Sequence, residues 1–250
     1  MPMLGPSRKP DTEFAITQLI PNMLTILAIC AGLSAIRFGV HGDYTLAVHL
    51  VMAACVLDGL DGRIARLLGS DSKMGAELDS LADFLNFGVA PPLILYFWAL
   101  QDIRSMGWIA VLVYSVCCVM RLARFNVTSK SEDAESSAAY FQGVPSPAGA
   151  LLVMMPMYLS FAFTNAPLVP GLVTSFYMVF IGFLMISRIP TWSFKTTKVS
   201  RQNVKYFLVG VAFMGAALLT FAWVTLIVLC LAYVATVAWA WIEKELPSSR

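Results

Sequence analysis

Asp58, Asp61, Asp79 and Asp83 fall within one stretch, VLDGLDGRIARLLGSDSKMGAELDSLADFLNFGVAPP (56–92), whose flanks are strongly apolar. A carboxylate at mid-bilayer depth costs roughly 2.5–3.5 kcal/mol, so four of them in one stretch demand a reason. Their spacing is helical. Asp58, Asp61, Gly62, Ala65 and Arg66 follow i, i+3, i+4, i+7, i+8 and share one face, and Gly75, Asp79 and Asp83 follow i, i+4, i+8 on the next helix. The intervening LLGSDSKM (67–74) is short enough to predict antiparallel neighbours, with two carboxylate pairs facing each other across one interface.

Four converging acids cannot all stay ionised without a counter-charge. Oxygen-only ligands favour hard divalent cations, magnesium, manganese or calcium, over zinc. Two such ions about 3.5–4 Å apart form a clamp suited to phosphoryl transfer. Gly62 and Gly75 leave room for a phosphate or nucleotide to approach the backbone. Arg66, on the same face, is placed to bind a phosphate bidentately. Acids that merely cap or salt-bridge helix ends are the competing explanation, but only Arg63, Arg66 and Lys73 lie near enough to serve it.

The elements that must carry these residues follow from composition. The 250 residues are 58% hydrophobic and 13% charged, with a mean hydropathy of +0.74, which is the composition of an integral membrane protein. A net charge of +2 argues against nucleic-acid binding. Eight apolar segments stand out, at about 20–40, 45–68, 76–101, 106–126, 147–164, 168–188, 204–221 and 223–242. Two polar stretches, 127–147 and 190–205, read as loops. If the N-terminus is cytoplasmic, 15 of the 17 Lys and Arg residues lie on that side and only Arg37 and Arg104 opposite, so the expected topology is N-in and C-in. The four acids then sit near the cytoplasmic face.

Residues 11–19 alternate polar and apolar positions, which fits either a short interfacial helix or a frayed polar leader. MPMLGPSRKPDTEF has no apolar core directly after its basic residues, so no cleavable signal peptide is expected. Cys30, Cys55, Cys117, Cys118 and Cys230 all lie in apolar runs and are expected to be small core residues, without disulfides or a zinc site.

The stretch DGLDGRIARLLGSDSKMGAELDSLAD matches D-x2-D-G-x2-A-R-x8-G-x3-D-x3-D at every defined position. On that motif the chain resembles the CDP-alcohol phosphotransferases, integral membrane enzymes of phospholipid synthesis. The resemblance implies an all-α polytopic fold with a six-helix catalytic core over 20–188. A leader (1–19) precedes it, and 189–250 adds a loop, two further spans and a short tail beyond that core. It also implies two divalent cations, Mg2+ or Mn2+, held by Asp58, Asp61, Asp79 and Asp83, with Asp83 also the general base. Gly62, Ala65, Arg66, Ser72 and Gly75 match positions on the CDP-lipid side. PNMLT (21–25), with Pro21, Asn22 and Thr25, resembles the family's first-span motif beside the nucleotide, although a Pro-Asn pair at a helix start also has a plain capping explanation.

Three further stretches, DFLNFGVAPP (83–92), RLARFNV (121–127) and FQGVPSPAGA (141–150), resemble the family's bacterial serine-using branch. That resemblance implies transfer of a phosphatidyl group from CDP-diacylglycerol to L-serine at the cytoplasmic face of a bacterial inner membrane, by a homodimer. Serine is a zwitterion, and Arg121, Arg124, Asn126, Gly143 and Ser146 are the expected acceptor pocket. Ordinary positive-inside anchoring is the other explanation for the two arginines. Glycerol 3-phosphate, inositol phosphate or another polar alcohol remain alternative acceptors, and a cation transporter is an alternative from another class.

Overall fold

The computed structural model describes residues 16–69, 72–129, 140–163, 169–187, 189–192 and 204–245. Helices α1 (Ile16–Val40), α2 (Tyr44–Leu68) and α3 (Lys73–Asp83) lead into a π-helical segment (Phe84–Val89) and α4 (Ala90–Ala99). There follow α5 (Arg104–Ser129), α6 (Ser146–Val153), α7 (Met155–Ala162), α8 (Gly171–Ile186), α9 (Val204–Thr220) and α10 (Ala222–Glu245). Each of the eight expected apolar segments is helical, with α3, the π segment and α4 forming the third and α6–α7 the fifth. The protein is a helical polytopic membrane protein; among the described residues, five continuous helical stretches are long and apolar enough to cross a bilayer. Its surface agrees, since Leu27, Val116, Phe176, Phe180, Phe183 and Trp239 are all exposed. The possible interfacial helix falls mostly outside the described residues.

Two prolines explain the third segment. Pro91 and Pro92 have no N–H to give the carbonyls of Phe87 and Gly88 four residues earlier. In an apolar bundle those acceptors need other donors. Tyr114 Oη donates to the Phe87 carbonyl at 3.2 Å and Ser115 Oγ to that of Gly88 at 2.8 Å, tying the π segment to α5. The same device recurs at the α6–α7 break, where Pro156 frees the Leu152 carbonyl and Tyr177 Oη on α8 donates to it at 2.7 Å. Around these ties lies the core of Ile94, Leu95, Tyr114, Met154, Met157, Tyr158, Met178 and Met185.

Two expectations need amending. The polar stretches are not wholly loop: Tyr140–Gln142 (β1) and Pro190–Trp192 (β2) pair as a short antiparallel ribbon, Phe141 opposite Thr191. Gly143 ends β1 at φ +82°, its N–H donating to the Ile189 carbonyl at 2.9 Å, and a Cβ there would collide with the Met185 carbonyl. Among the cysteines, Cys117, Cys118 and Cys230 are buried, but Cys55 is half-buried and Cys30 faces outward, because apolarity in a membrane helix does not distinguish core from lipid.

Candidate active site

The cavity at the motif forms because α1 packs along α2 and against α3, while α2 and α3 stand apart until α2 meets the π segment and α4. The carboxylates of α2 and α3 nonetheless come within reach of one another across this gap. The gap encloses about 180 Å³ and is lined by Pro21, Asn22 and Thr25 of α1, Asp61, Gly62 and Ala65 of α2, and Ser72, Gly75, Ala76 and Asp79 at the start of α3. Pro21 lies within α1, not at its first turn, so helix-start capping does not account for it.

The local chemistry of α3 shapes one wall. Ser72 caps the helix, its Oγ accepting from the Gly75 N–H at 2.9 Å. A Cβ on Gly75 would stand 2.9 Å from Asn22 Oδ1 and 3.0 Å from Ser72 Oγ, so glycine permits the close approach of α1 and α3. The helix N-terminus thus borders the cavity, a setting that favours an anion. A Cβ on Gly62 would meet nothing within 4 Å, leaving the opposite wall open to a ligand.

The four aspartates sort into two tiers. Asp61 and Asp79 lie about 10 Å from the ends of α2 and α3 that flank the 67–74 connection, and both line the cavity. Asp58 and Asp83, about 15 Å in, lie behind them and within hydrogen-bonding reach of each other. The tiers are in electrostatic range of one another: Asp79 of Asp58 and Asp61, and Asp83 of Asp79 and Asp61. Asp61 is only 3% exposed. Thr25 Oγ1 lies 2.6 Å from Asp61 Oδ2 and 3.1 Å from the Pro21 carbonyl. A hydroxyl has one proton, and both neighbours are acceptors, so it donates to the nearer, charged one.

Whether these residues suit divalent cations is decided by their free atoms. Among the described residues, Asp58 Oδ1 and Asp61 Oδ1 are buried with no hydrogen-bond partner, the condition that a hard cation relieves. Among the described residues no three His, Cys, Asp or Glu side chains are drawn together tightly enough to grip an ion as placed. The oxygen-only donor set and its orphaned atoms nevertheless fit the group.

Of the residues expected on the CDP-lipid side, Pro21, Asn22, Thr25, Gly62, Ala65, Ser72 and Gly75 line the cavity and Arg66 does not. Arg66 is exposed and its Nε donates back to the Gly62 carbonyl at 3.0 Å. The expected acceptor residues separate. Arg121 donates to Ser146 Oγ, and its charge lies in range of Asp83. Arg124 instead donates to the Ile186 carbonyl at 3.1 Å, closing the end of α8. Asn126 donates to Ser80 Oγ on α3 at 3.0 Å, and Gly143 holds the ribbon turn.

Residues not singled out from the sequence also reach the site. Ala76 lines the cavity, and Cys55, one turn before Asp58, lies in range of Asp58 and Asp83. Asn86 is fully buried in the π segment, with neither amide atom partnered among the described residues. Tyr233 of α10 lies in electrostatic range of Arg121. A lone tyrosine amid apolar neighbours was the only sequence signal for Tyr233, and it is a weak one.

Comparison with known proteins yields one family. A family model described as CDP-alcohol phosphatidyltransferase matches residues 18–238, reaching well into α10. Curated relatives carry the name CDP-diacylglycerol–serine O-phosphatidyltransferase. One from Mycobacterium leprae is 38% identical over 93% of this chain and 78% of its own length. One from Helicobacter pylori is 36% identical over 79% and 80%, and one from Bacillus subtilis 36% identical over 74% and 96%.

Proposed function

The chain belongs to the CDP-alcohol phosphatidyltransferase family, and we propose that it transfers the phosphatidyl group of CDP-diacylglycerol to the hydroxyl of L-serine, giving phosphatidylserine and CMP. The observation that carries the reaction class is the cavity itself, which gathers the motif's glycines, Ser72, Asp61 and Asp79 with the first-helix residues Pro21, Asn22 and Thr25. The names of the relatives support serine as the acceptor. Family membership also disfavours the transporter alternative.

In this reading the diphosphate lies at the α3 N-terminus, against the Gly75 and Ala76 backbone and beside Gly62. Asp58, Asp61, Asp79 and Asp83 would hold two divalent cations, Mg2+ or Mn2+, which would supply charge neutralisation at the diphosphate and the departing CMP. Thr25 fixes the rotamer of Asp61 from the α1 side. Asp83 takes the proton from the serine hydroxyl as its oxygen bonds to the β-phosphorus. The bond from that phosphorus to the bridging oxygen breaks, and its electron pair leaves on CMP. Arg121, held by Ser146 and in range of Asp83, receives the serine carboxylate.

The charge distribution supports an N-in, C-in arrangement with the cavity facing the cytoplasm, and the relatives from Mycobacterium leprae, Helicobacter pylori and Bacillus subtilis support the inner membrane of a bacterium. Small residues along the helices support a homodimer. Purified protein with CDP-diacylglycerol and a panel of labelled acceptors tests the proposal. Serine-dependent, metal-dependent CMP release is expected; incorporation of another alcohol and none of serine would refute the acceptor assignment.

A further inference from the structure

We infer that Tyr233, on the last helix, is an acceptor-recognition residue whose hydroxyl donates a hydrogen bond to the carboxylate of the amino acid held at Arg121. The inference rests on the serine reading above and adds a residue from outside the expected six-helix core.

Tyr233 Oη is buried and has no hydrogen-bond partner among the described residues. A buried phenol normally finds one, and its absence marks a donor that a ligand would satisfy. The phenol's surroundings identify that ligand. Arg121 lies in electrostatic range of both Tyr233 and Asp83 and is hydrogen-bonded to neither, while one of its N–H groups holds Ser146 Oγ. A guanidinium offers five N–H donors, so others remain for an anion. An anion on Arg121 would lie in range of both the phenol and the base that must reach the acceptor hydroxyl. An α-amino acid with a β-hydroxyl carries in one small molecule the two groups this setting would take, a carboxylate for Arg121 and a hydroxyl for Asp83.

The placement of Tyr233 is built into α10. Leu226, Cys230 and Tyr233 follow i, i+4, i+7 on one face. Leu226 and Cys230 are buried, and Cys230 Sγ donates to the Leu151 carbonyl on α6 at 3.6 Å. On the preceding turns Trp223 stacks edge-on against Phe161 at 4.9 Å and meets His49 of α2 at 5.1 Å. These contacts set both the height and the rotation of α10, so the phenol is positioned by packing before any ligand arrives.

The test is Tyr233→Phe in the full-length detergent-purified protein, following CMP release against L-serine and, separately, against CDP-diacylglycerol. A hydrogen bond to a charged group is lost, so KM for serine should rise roughly tenfold or more, with kcat and KM for CDP-diacylglycerol nearly unchanged. Thermal stability should not fall, because the substitution removes an unsatisfied hydroxyl. An unchanged serine KM would overturn the inference. So would a parallel rise in both KM values with a lower melting temperature, which would mark a packing role. CMP release by the unsubstituted protein with another acceptor, and none with serine, would instead refute the serine reading and the role of Tyr233 with it.

Discussion

Thr25→Val isolates the link between the first helix and the carboxylates. The substitution keeps the side-chain shape but removes the hydroxyl that donates to Asp61 Oδ2 across 2.6 Å. Because Asp61 Oδ1 already lacks a partner among the described residues, the variant leaves both carboxylate oxygens without a donor side chain from them. A hydrogen bond to a charged group contributes about 1.5–3 kcal/mol, and each 1.4 kcal/mol is about tenfold in affinity. Loss of such outer partners lowers metal affinity by about 10–100-fold in typical sites. The half-activating Mn2+ or Mg2+ concentration should therefore rise by about 10–100-fold. At saturating metal, kcat should recover most of its value, because the reacting groups are intact. Thr25→Ser, which retains the donor, should stay close to the unsubstituted protein. The assay is CMP release at saturating CDP-diacylglycerol and L-serine across a metal titration. An unchanged half-activating concentration in a folded Thr25→Val protein would show that the hydroxyl serves only the Pro21 carbonyl, and the reasoning would fail.

Asp83→Asn should retain CDP-diacylglycerol binding, read by calorimetry, and lose turnover, whereas Asp58→Asn or Asp79→Asn should weaken metal binding itself. Normal turnover in Asp83→Asn would refute its assignment as base. Gly75→Ala places a methyl 2.9 Å from Asn22 Oδ1, so KM for CDP-diacylglycerol should rise about tenfold as α1 and α3 are forced apart; an unchanged KM would count against that close approach. Ser72→Ala should lower stability by about 1 kcal/mol through loss of the α3 cap, seen as a drop in melting temperature of a few degrees. Ser72→Asp keeps a capping oxygen but adds a negative charge at the cavity, so it should preserve stability and raise KM for CDP-diacylglycerol; equal behaviour of the two variants would contradict the anion site.

Composition and periodicity determined the polytopic helical class, because burying apolar runs in lipid is a local property of each segment. The motif likewise placed Asp58 and Asp61 on one helical face and Asp79 and Asp83 on another, since that follows from 3.6 residues per turn. What a helical wheel omits is where each face points and what stands between two faces. Only the tertiary structure inserted α1 beside α2 and α3, split the four acids into a cavity-lining pair and a deeper pair, and gave Asp61 its donor from Thr25. It also turned Arg66 back onto its own helix and separated Arg124 and Asn126 from Arg121, because a long side chain's direction depends on neighbours distant in sequence. The return of α10 to the site could not be read from its sequence. In lipid an apolar helix has no hydrophobic preference for its partner, so the contacts at Trp223, Leu226 and Cys230 decide where Tyr233 stands.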